Sequence, residues 1–376
     1  MVPSSIKIRT GNQMIAEGAL HAGCQFFAGY PITPASGVYK AMIEQLPQRN
    51  GVAISAPDEI SALAYCVGAS GRGVKAMTAS SGPGWSLMIE TVQYALMTEL
   101  PVVIALVQRL GPSTGGATQN GQADILFTEF CTSGGYTIPI FAPSTPQECY
   151  EVATIAFHWA EQLRTPVIIL SDKEVGMMSE DVDFALLKGV PPSERALFRG
   201  GNGAQHLTYD FEELSDVPLF APVGGADKVT MTGSAHDKKG TLQKNSKETI
   251  DVLVHLQAKI DARKEAMSIV RLDDAGPADT LLISFGITAR TAREAVRRAR
   301  QDGKKVRNAN VISLFPVPEQ ALIAAAAGVR RVVIAEENMT GQYRSVLRSL
   351  FPQTEVVGVN TVGTMITPND ILNALV

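Results

Sequence analysis

Two spacings of apolar residues alternate along the first 175 positions. The runs VKAMTAS (74–80), PVVIALVQR (101–109) and TPVIILSD are apolar at nearly every position, and the segments between them repeat apolar residues at helical spacing. Continuous apolar runs describe strands buried on both faces, whereas the helical spacing describes one apolar stripe facing a core. The expected order begins with a helix over MIAEGALHAG and a short strand, CQFFAGY. A turn bracketed by prolines (Pro31-Ile32-Thr33-Pro34) follows, then a helix with Val38, Met42, Ile43 and Leu46 on one face. Strand VAISAP (52–57) leads into a helix from Asp58, and strand 74–80 into loop SGPG and helix SLMIETVQYALMTEL. After strand 101–109 come a Gly-rich loop, a short helix and strand YTIPIFAP. Thr145, Pro146 and Glu148 then supply an N-cap, a first-turn proline and a capping-box glutamate. Apolar strands separated by helices predict a parallel sheet covered on both faces.

The rhythm stops near 176–265. FRGGNGAQH through GSAHDKKGTLQKNS is rich in Gly, Asp and Lys, which predicts an extended connector running partly over the surface. ETIDVLVHLQAKIDARKEAM predicts a long surface helix. From Asp279 the alternation returns with strands TLLISFG, VRNANVISLF, RRVVIAEEN and TEVVGVN, and a helix carrying Ala292, Ala295, Val296 and Ala299 at helical spacing. The expected division is an α/β unit over 1–190, a connector over 191–265 and a smaller α/β unit over 266–376, with no repeat between the two units.

Composition narrows the possible classes. A chain of 376 residues with 45% hydrophobic positions buries a sizeable core without staples. The 33 Lys+Arg against 37 Asp+Glu leave a net charge of -4, without the basic stripe that nucleic acid requires. The longest apolar stretches fall well short of the ~20 residues that cross a bilayer. MVPSSIKIRTGNQ shows no apolar signal run. A cytoplasmic globular protein is expected, with neither nucleic acid nor membrane as partner. Cys24, Cys66, Cys131 and Cys149 form no CxxC or CxxH, so zinc and iron–sulfur clusters lack their ligand spacing. Buried reduced thiols are expected, and any redox cluster belongs to another chain.

In parallel α/β sheets, ligands bind beyond the carboxyl ends of the strands. Four loops there carry distinctive residues: Tyr30-Pro31-Ile32-Thr33-Pro34, Pro57-Asp58-Glu59, Ser80-Ser81-Gly82-Pro83-Gly84, and the Gly-rich stretch from Arg109 to Gly116. Each has a structural reading beside a chemical one. Thr33 either shapes a turn or presents a hydroxyl. Glu59 either complements the positive end of its helix beside an Asp58 N-cap, worth ~0.3–1 kcal/mol, or faces a ligand. SSGPG permits close backbone approach, although glycines also serve helix–sheet packing. No GK[ST] follows it, and GASGRG is not the dinucleotide fingerprint. Arg109 ends an apolar run beside a loop whose glycines predict mobility. Its planar fork suits a carboxylate ligand or an interdomain salt bridge. The five histidines are scattered and GxSxG is absent, so a hydrolase finds no support.

Taken together, GYPITPAS, APDEISALAYCVGAS, SSGPGWSLM and QRLGPSTGGATQNGQAD resemble, in order and spacing, the alpha subunit of 2-oxoacid:ferredoxin oxidoreductases. VIILSDKEVGM, TGSAHDKKG and the last α/β unit extend the likeness to nearly the whole sequence. The resemblance implies a pyrimidine-binding domain for thiamine diphosphate followed by a domain like the transketolase C-terminal domain. Glu59 matches the family glutamate that hydrogen-bonds the cofactor's aminopyrimidine, favouring the imino tautomer whose nitrogen removes the thiazolium C2 proton. Tyr30, Pro31, Ile32, Gly82 and Pro83 fall at cofactor-binding positions. Arg109 matches the arginine that holds the 2-oxo acid, and Thr33 the threonine near its reactive carbon.

The implied reaction is oxidative decarboxylation, with electrons passed singly to iron–sulfur clusters and on to ferredoxin while coenzyme A takes the acyl group. The sequence has no GDG…Asn motif; QDGKK is the nearest string. The resemblance therefore places the diphosphate site, Mg2+ and [4Fe-4S] clusters on a partner beta subunit and adds a separate gamma polypeptide. It implies no metal on this chain. The RLGPSTGG loop is most similar to the 2-oxoglutarate branch, with branched-chain 2-oxo acids and pyruvate as alternatives. A transketolase- or decarboxylase-like half would keep the same glutamate but need a coenzyme A-independent acceptor, and Glu59, Thr33 and Arg109 argue against an inactive scaffold.

Overall fold

The computed structural model describes residues 5–200, 206–273 and 276–375. Residues 1–4 of the N-terminus and 201–205 of the Gly-rich connector, on both of which expectations fell, lie outside the described residues. The first elements are β1 (Ile6–Thr10), α1 (Gly11–His21), β2 (Phe26–Gly29), α2 (Ser36–Gln45), β3 (Val52–Ser55) and α3 (Glu59–Gly71). Next come β4 (Ala76–Ser80), α4 (Gly82–Met97), β5 (Val102–Gln108), α5 (Ile125–Glu129), β6 (Ile140–Phe141) and α6 (Pro146–Leu163). They continue as β7 (Pro166–Asp172), α7 (Lys173–Met177), β8 (Ser179–Asp183), α8 (Lys247–Asp261), α9 (Lys264–Met267) and β9 (Val270–Asp273). The last part holds β10 (Thr280–Ser284), α10 (Thr288–Gln301), β11 (Val306–Val311), β12 (Ser313–Phe315) and α11 (Glu319–Ala325). It closes with β13 (Arg331–Glu336), α12 (Gln342–Leu347), β14 (Glu355–Asn360) and α13 (Pro368–Ala374).

A seven-stranded sheet has the order β12-β6-β7-β5-β4-β2-β3 and is parallel except at β12. A five-stranded sheet has the order β14-β13-β10-β11-β9 and is parallel except at β9. Strand alternation divides β5 between two cores, because successive side chains point to opposite faces. Val102, Ile104 and Leu106 join Leu63, Met88 and Val92 of α3 and α4, while Val103, Ala105 and Val107 join Met14, Ile15 and Phe157 of α1 and α6. Each such side chain contributes ~1.5–3 kcal/mol on full burial. The larger sheet is thus covered on both faces, as its apolar strands predict, and its loops open at one end.

Several local expectations need correction. β1 and β8 pair antiparallel as a separate ribbon, which the apolar pattern missed because charges interleave both strands. The expected single strand VRNANVISLF breaks after Val311. β11 stays in the smaller sheet, and β12 crosses to pair with β6 of the larger one. At α6 the capping box is half formed. Glu148 N–H donates to Thr145 Oγ1 at 3.1 Å, but the Glu148 carboxylate accepts from Ser144 N at 2.8 Å and pairs with Arg271 Nε at 2.8 Å. An ion pair with β9 draws that side chain away from the cap.

The expected long surface helix is two helices, and α8 buries Val252, His255, Leu256, Lys259 and Ile260. The cause is Glu99, held fully buried at a left-handed φ of 49° after α4. Its Oε2 accepts from Lys259 Nζ at 2.6 Å and lies 3.2 Å from His255 Nε2. Charges that read as solvent-facing are therefore paired inside. Arg164, also buried, donates to Pro218 O at 3.0 Å and Leu219 O at 3.3 Å, which fastens the strandless segment between β8 and α8 to the larger sheet. All four cysteines are buried and unpaired, and burial pushes Cys24 and Cys131 up to about 12. Among the described residues no helix is long and apolar enough to cross a membrane.

Candidate active site

Asp58 is the N-cap of α3, its carboxylate accepting from Ser61 N at 2.7 Å. That contact holds the Asp58 carboxyl below its ordinary range. The cap is therefore filled, and Glu59 has no part in it. Glu59 is 6% exposed, and its carboxylate makes no hydrogen bond among the described residues. Its oxygens keep contact with solvent, so a ligand that reached this carboxylate would displace water and find an acceptor with no protein partner. The first turn of α4 is cleared to make room. A Cβ on Gly84 would stand 2.6 Å from Glu59 Cγ and 2.7 Å from Glu59 Oε1. Beside it the Ser81 hydroxyl, at the N-cap of α4, is buried without a partner.

Arg109 follows β5 and is 7% exposed. Its Nε and Nη2 both donate to Ser113 O, at 3.1 and 2.8 Å, and its Nη1 donates to Thr33 O at 2.7 Å. The side-on edge of the fork therefore grips its own loop, leaving two of the five N–H groups of a guanidinium for a ligand. The loop is bound to itself as well. Leu110 N donates to Gln119 O at 3.1 Å, Gln119 N to Gly116 O at 3.1 Å and Gly115 N to Pro112 O at 2.7 Å. Hydrogen bonds replace the expected mobility of its glycines. The Thr33 hydroxyl makes no hydrogen bond among the described residues, and Tyr30 and Pro31 are exposed at the rim with Ile32 half-buried behind them.

Sequence reasoning missed Asp124. Its two carboxylate oxygens lie 3.5 Å from the point where a Cβ on Gly82 would stand, on the side of α4 that begins the SSGPG turn. Burial pushes its carboxyl up to about 6, against the pull of the Arg109 charge. Burial in turn lowers the Arg109 guanidinium, and Asp124 offsets this in part. The signal was present as the last residue of QNGQAD, but nothing local marks that aspartate as turned towards α4 and Arg109. Arg109 thus bonds to Thr33, Asp124 stands beside Gly82 within reach of the Arg109 charge, and Glu59 packs against Gly84.

The site thus presents a carboxylate without a protein partner, facing a glycine-cleared helix turn at the carboxyl ends of parallel strands. This fold, with the family pattern that matches it, defines a thiamine diphosphate-binding α/β protein. The comparisons then place it: the pattern described as "Pyruvate flavodoxin/ferredoxin oxidoreductase, thiamine diP-bdg" matches residues 17–252, and "Pyruvate:ferredoxin oxidoreductase core domain II" matches residues 278–371. The chain belongs to the 2-oxoacid:ferredoxin oxidoreductase family, as a chain of the alpha-subunit type.

The 2-oxoglutarate synthase subunit KorA of Methanothermobacter thermautotrophicus is 36% identical over 371 residues, covering 97% of this chain and 96% of the relative. The same organism's ketoisovalerate oxidoreductase subunit VorB is 29% identical over 375 residues, covering 97% and 96%. Among solved structures, the 2-oxoglutarate:ferredoxin oxidoreductase from Magnetococcus marinus, with 2-oxoglutarate, coenzyme A and succinyl-CoA bound, superposes with a TM-score of 0.91 at 28% identity. All of this chain is covered, and it spans 65% of the length of that solved chain.

Proposed function

We propose that this chain is the alpha subunit of a 2-oxoglutarate:ferredoxin oxidoreductase, which converts 2-oxoglutarate and coenzyme A to acyl-CoA and carbon dioxide and passes the electrons to ferredoxin. The buried, partnerless Glu59 carboxylate against Gly84 carries the reading. The higher identity to the KorA subunit than to VorB supports 2-oxoglutarate over branched-chain acids. Thiamine diphosphate, when bound, supplies the electron sink that lets a 2-oxo acid lose carbon dioxide. Glu59 offers its carboxyl to a pyrimidine ring nitrogen and shares a proton there. Gly82, Pro83, Tyr30, Pro31 and Ile32 line the two loops beside it. Arg109 turns its two remaining N–H groups to the substrate's oxygens, and Thr33 adds a hydroxyl.

The sequence holds no GDG…Asn motif. In this reading a beta subunit brings the diphosphate site, Mg2+ and [4Fe-4S] clusters, and a gamma polypeptide completes the assembly. The division into units 1–190, 191–265 and 266–376 belongs to the same proposal, with a cytoplasmic location supported by the four unpaired thiols.

The test is co-purification with untagged partner subunits, followed by thiamine and iron analysis and a coenzyme A-dependent assay of ferredoxin reduction. We expect both thiamine and iron, and a kcat/KM for 2-oxoglutarate about tenfold or more above that for 2-oxoisovalerate or pyruvate, the scale on which side-chain differences are discriminated. Preference for either other acid overturns the substrate. Absence of both thiamine and iron overturns the role.

A further inference from the structure

The trailing half of the Gly-rich loop is fastened to the smaller α/β unit at several points, with Gln342 bonding Ala123 O and Leu126 N, and Gln122 making the most bonds. Gln122 is fully buried. Its Oε1 accepts from Glu337 N at 3.1 Å and from Thr288 Oγ1 at 3.0 Å. Its Nε2 donates to Phe285 O at 3.0 Å and to Asp172 Oδ2 at 3.3 Å. The main-chain N–H of Gln122 donates to Glu337 O at 2.8 Å, and its carbonyl accepts from Asn338 Nδ2 at 3.1 Å. Every polar atom of residue 122 is thus engaged, and all but one of the partners come from the smaller unit. Only an amide supplies two donors and two acceptors in this socket. Asn120 adds a further bond from its Nδ2 to Glu337 Oε2.

The anchored end and the Arg109 end of the loop are joined. Leu110, next to Arg109, donates to Gln119 O at 3.1 Å, and a Cβ on Gly121 would lie 3.1 Å from Leu110 Cα. A shift of residue 122 therefore reaches Arg109 through a few packed residues. Packed interiors transmit such shifts because they have little free volume.

We infer that Gln122 is a positioning residue for the 2-oxo acid: it makes the smaller α/β unit the anchor of the 109–124 loop, and so holds the Arg109 guanidinium where the substrate meets it. The inference rests on the reading of Arg109 as the substrate arginine. It also gives the smaller unit a part in the site, although none of its residues stands among those assigned to cofactor or substrate.

The test uses the assembled enzyme. Gln122→Glu replaces the Nε2 donor with an oxygen facing Phe285 O and Asp172. It should raise the KM for the 2-oxo acid about tenfold or more, as expected when buried polar groups lose their partners. The KM for coenzyme A should stay within about twofold, because the loss is confined to one loop. Thr288→Val removes the hydroxyl that bonds Gln122 Oε1 and also faces the Glu337 carboxyl, leaves the other bonds of Gln122 in place, and should act in the same direction more weakly, which covers a failure of Gln122→Glu to fold. In an Arg109→Lys background Gln122→Glu should add much less than it does alone, since two residues acting through one contact are not additive.

Equal rises in both KM values, or full additivity, would overturn the inference. Amide exchange separates the two readings. Gln122→Glu should speed exchange at Gly115 and Gln119, and unchanged exchange there overturns the anchor alone. Normal kinetics in Arg109→Lys overturns the substrate reading alone.

Discussion

Glu59 and Gly84 share one space: any β-carbon at 84 would stand 2.7 Å from Glu59 Oε1. The glycine is required by its neighbours, Ser80 Oγ first and Glu59 next, rather than by its own backbone. Gly84→Ala should crowd Ser80 Oγ and displace the Glu59 carboxylate, reducing turnover of the assembled enzyme by about 10²-fold, the lower range for losing a positioned acid–base group. Gly68, in the middle of α3, meets nothing within 4 Å. Gly68→Ala should instead stabilise the chain by up to about 1 kcal/mol. Activity assays and thermal melts of the two variants check both, and an active Gly84→Ala enzyme would place the functional carboxylate elsewhere.

Glu59→Gln keeps the shape and removes the proton-sharing carboxyl. Asp58, not Glu59, caps α3, so the helix and the assembly should persist. Turnover should fall by ~10²–10⁴-fold or more. Size-exclusion chromatography confirms the assembly. Turnover within a few-fold of the parent returns Glu59 to a helix-start role.

Arg109→Lys exchanges a planar fork for a point charge. The grip on Ser113 O and Thr33 O weakens together with any contact to substrate. KM for the 2-oxo acid should rise and kcat/KM fall by ~10-fold or more, the equivalent of one charge-assisted bond. Coenzyme A affinity should hardly change. Normal kinetics combined with loss of the partner subunit would make Arg109 an interface residue.

Asp124 gives the site a pH dependence. Its carboxyl is raised from 3.8 to about 6, by burial first, with the Arg109 charge pulling the other way. The folded chain thus holds a proton that the unfolded chain has released, so this group's contribution to stability falls as pH rises from about 4 to about 6. Once ionised, Asp124 competes with the substrate carboxylate for Arg109. KM for the 2-oxo acid should therefore climb as pH rises through about 6, and Asp124→Asn should flatten the profile and gain stability on the alkaline side. An unchanged KM profile in Asp124→Asn would show that this carboxyl does not act on the substrate site.

Lys259→Met tests the buried clamp beneath the segment between β8 and α8. It leaves Glu99 inside with His255 as its remaining hydrogen-bond partner. Removing one member of a buried pair typically costs about 3–5 kcal/mol. Glu99→Gln in the same chain should recover part of that loss. Parent-like thermal unfolding of Lys259→Met would show that the pair contributes little.

Periodicity, caps and turns were legible because they act over a few residues. The apolar runs determined the strands of both sheets except the charged edge strand β9, Thr145 and Asp58 announced their helices, and the strand-end rule singled out Thr33, Glu59, Gly82 and Arg109. Contacts across the fold were not legible. Glu99 and Lys259 are 160 positions apart, so α8 read as a surface helix although it buries Lys259 and His255 along with its apolar face. β12 carries the same apolar signal as β11, yet it pairs with a strand of the other sheet. Gln122 looks like any polar loop residue until Phe285, Thr288 and Glu337 surround it. The sequence alone determined which residues stand at the strand ends, through local propensity and burial pattern. Only the tertiary structure decided which of them meet, because those contacts depend on how distant segments pack and on which polar groups that packing leaves in need of a partner.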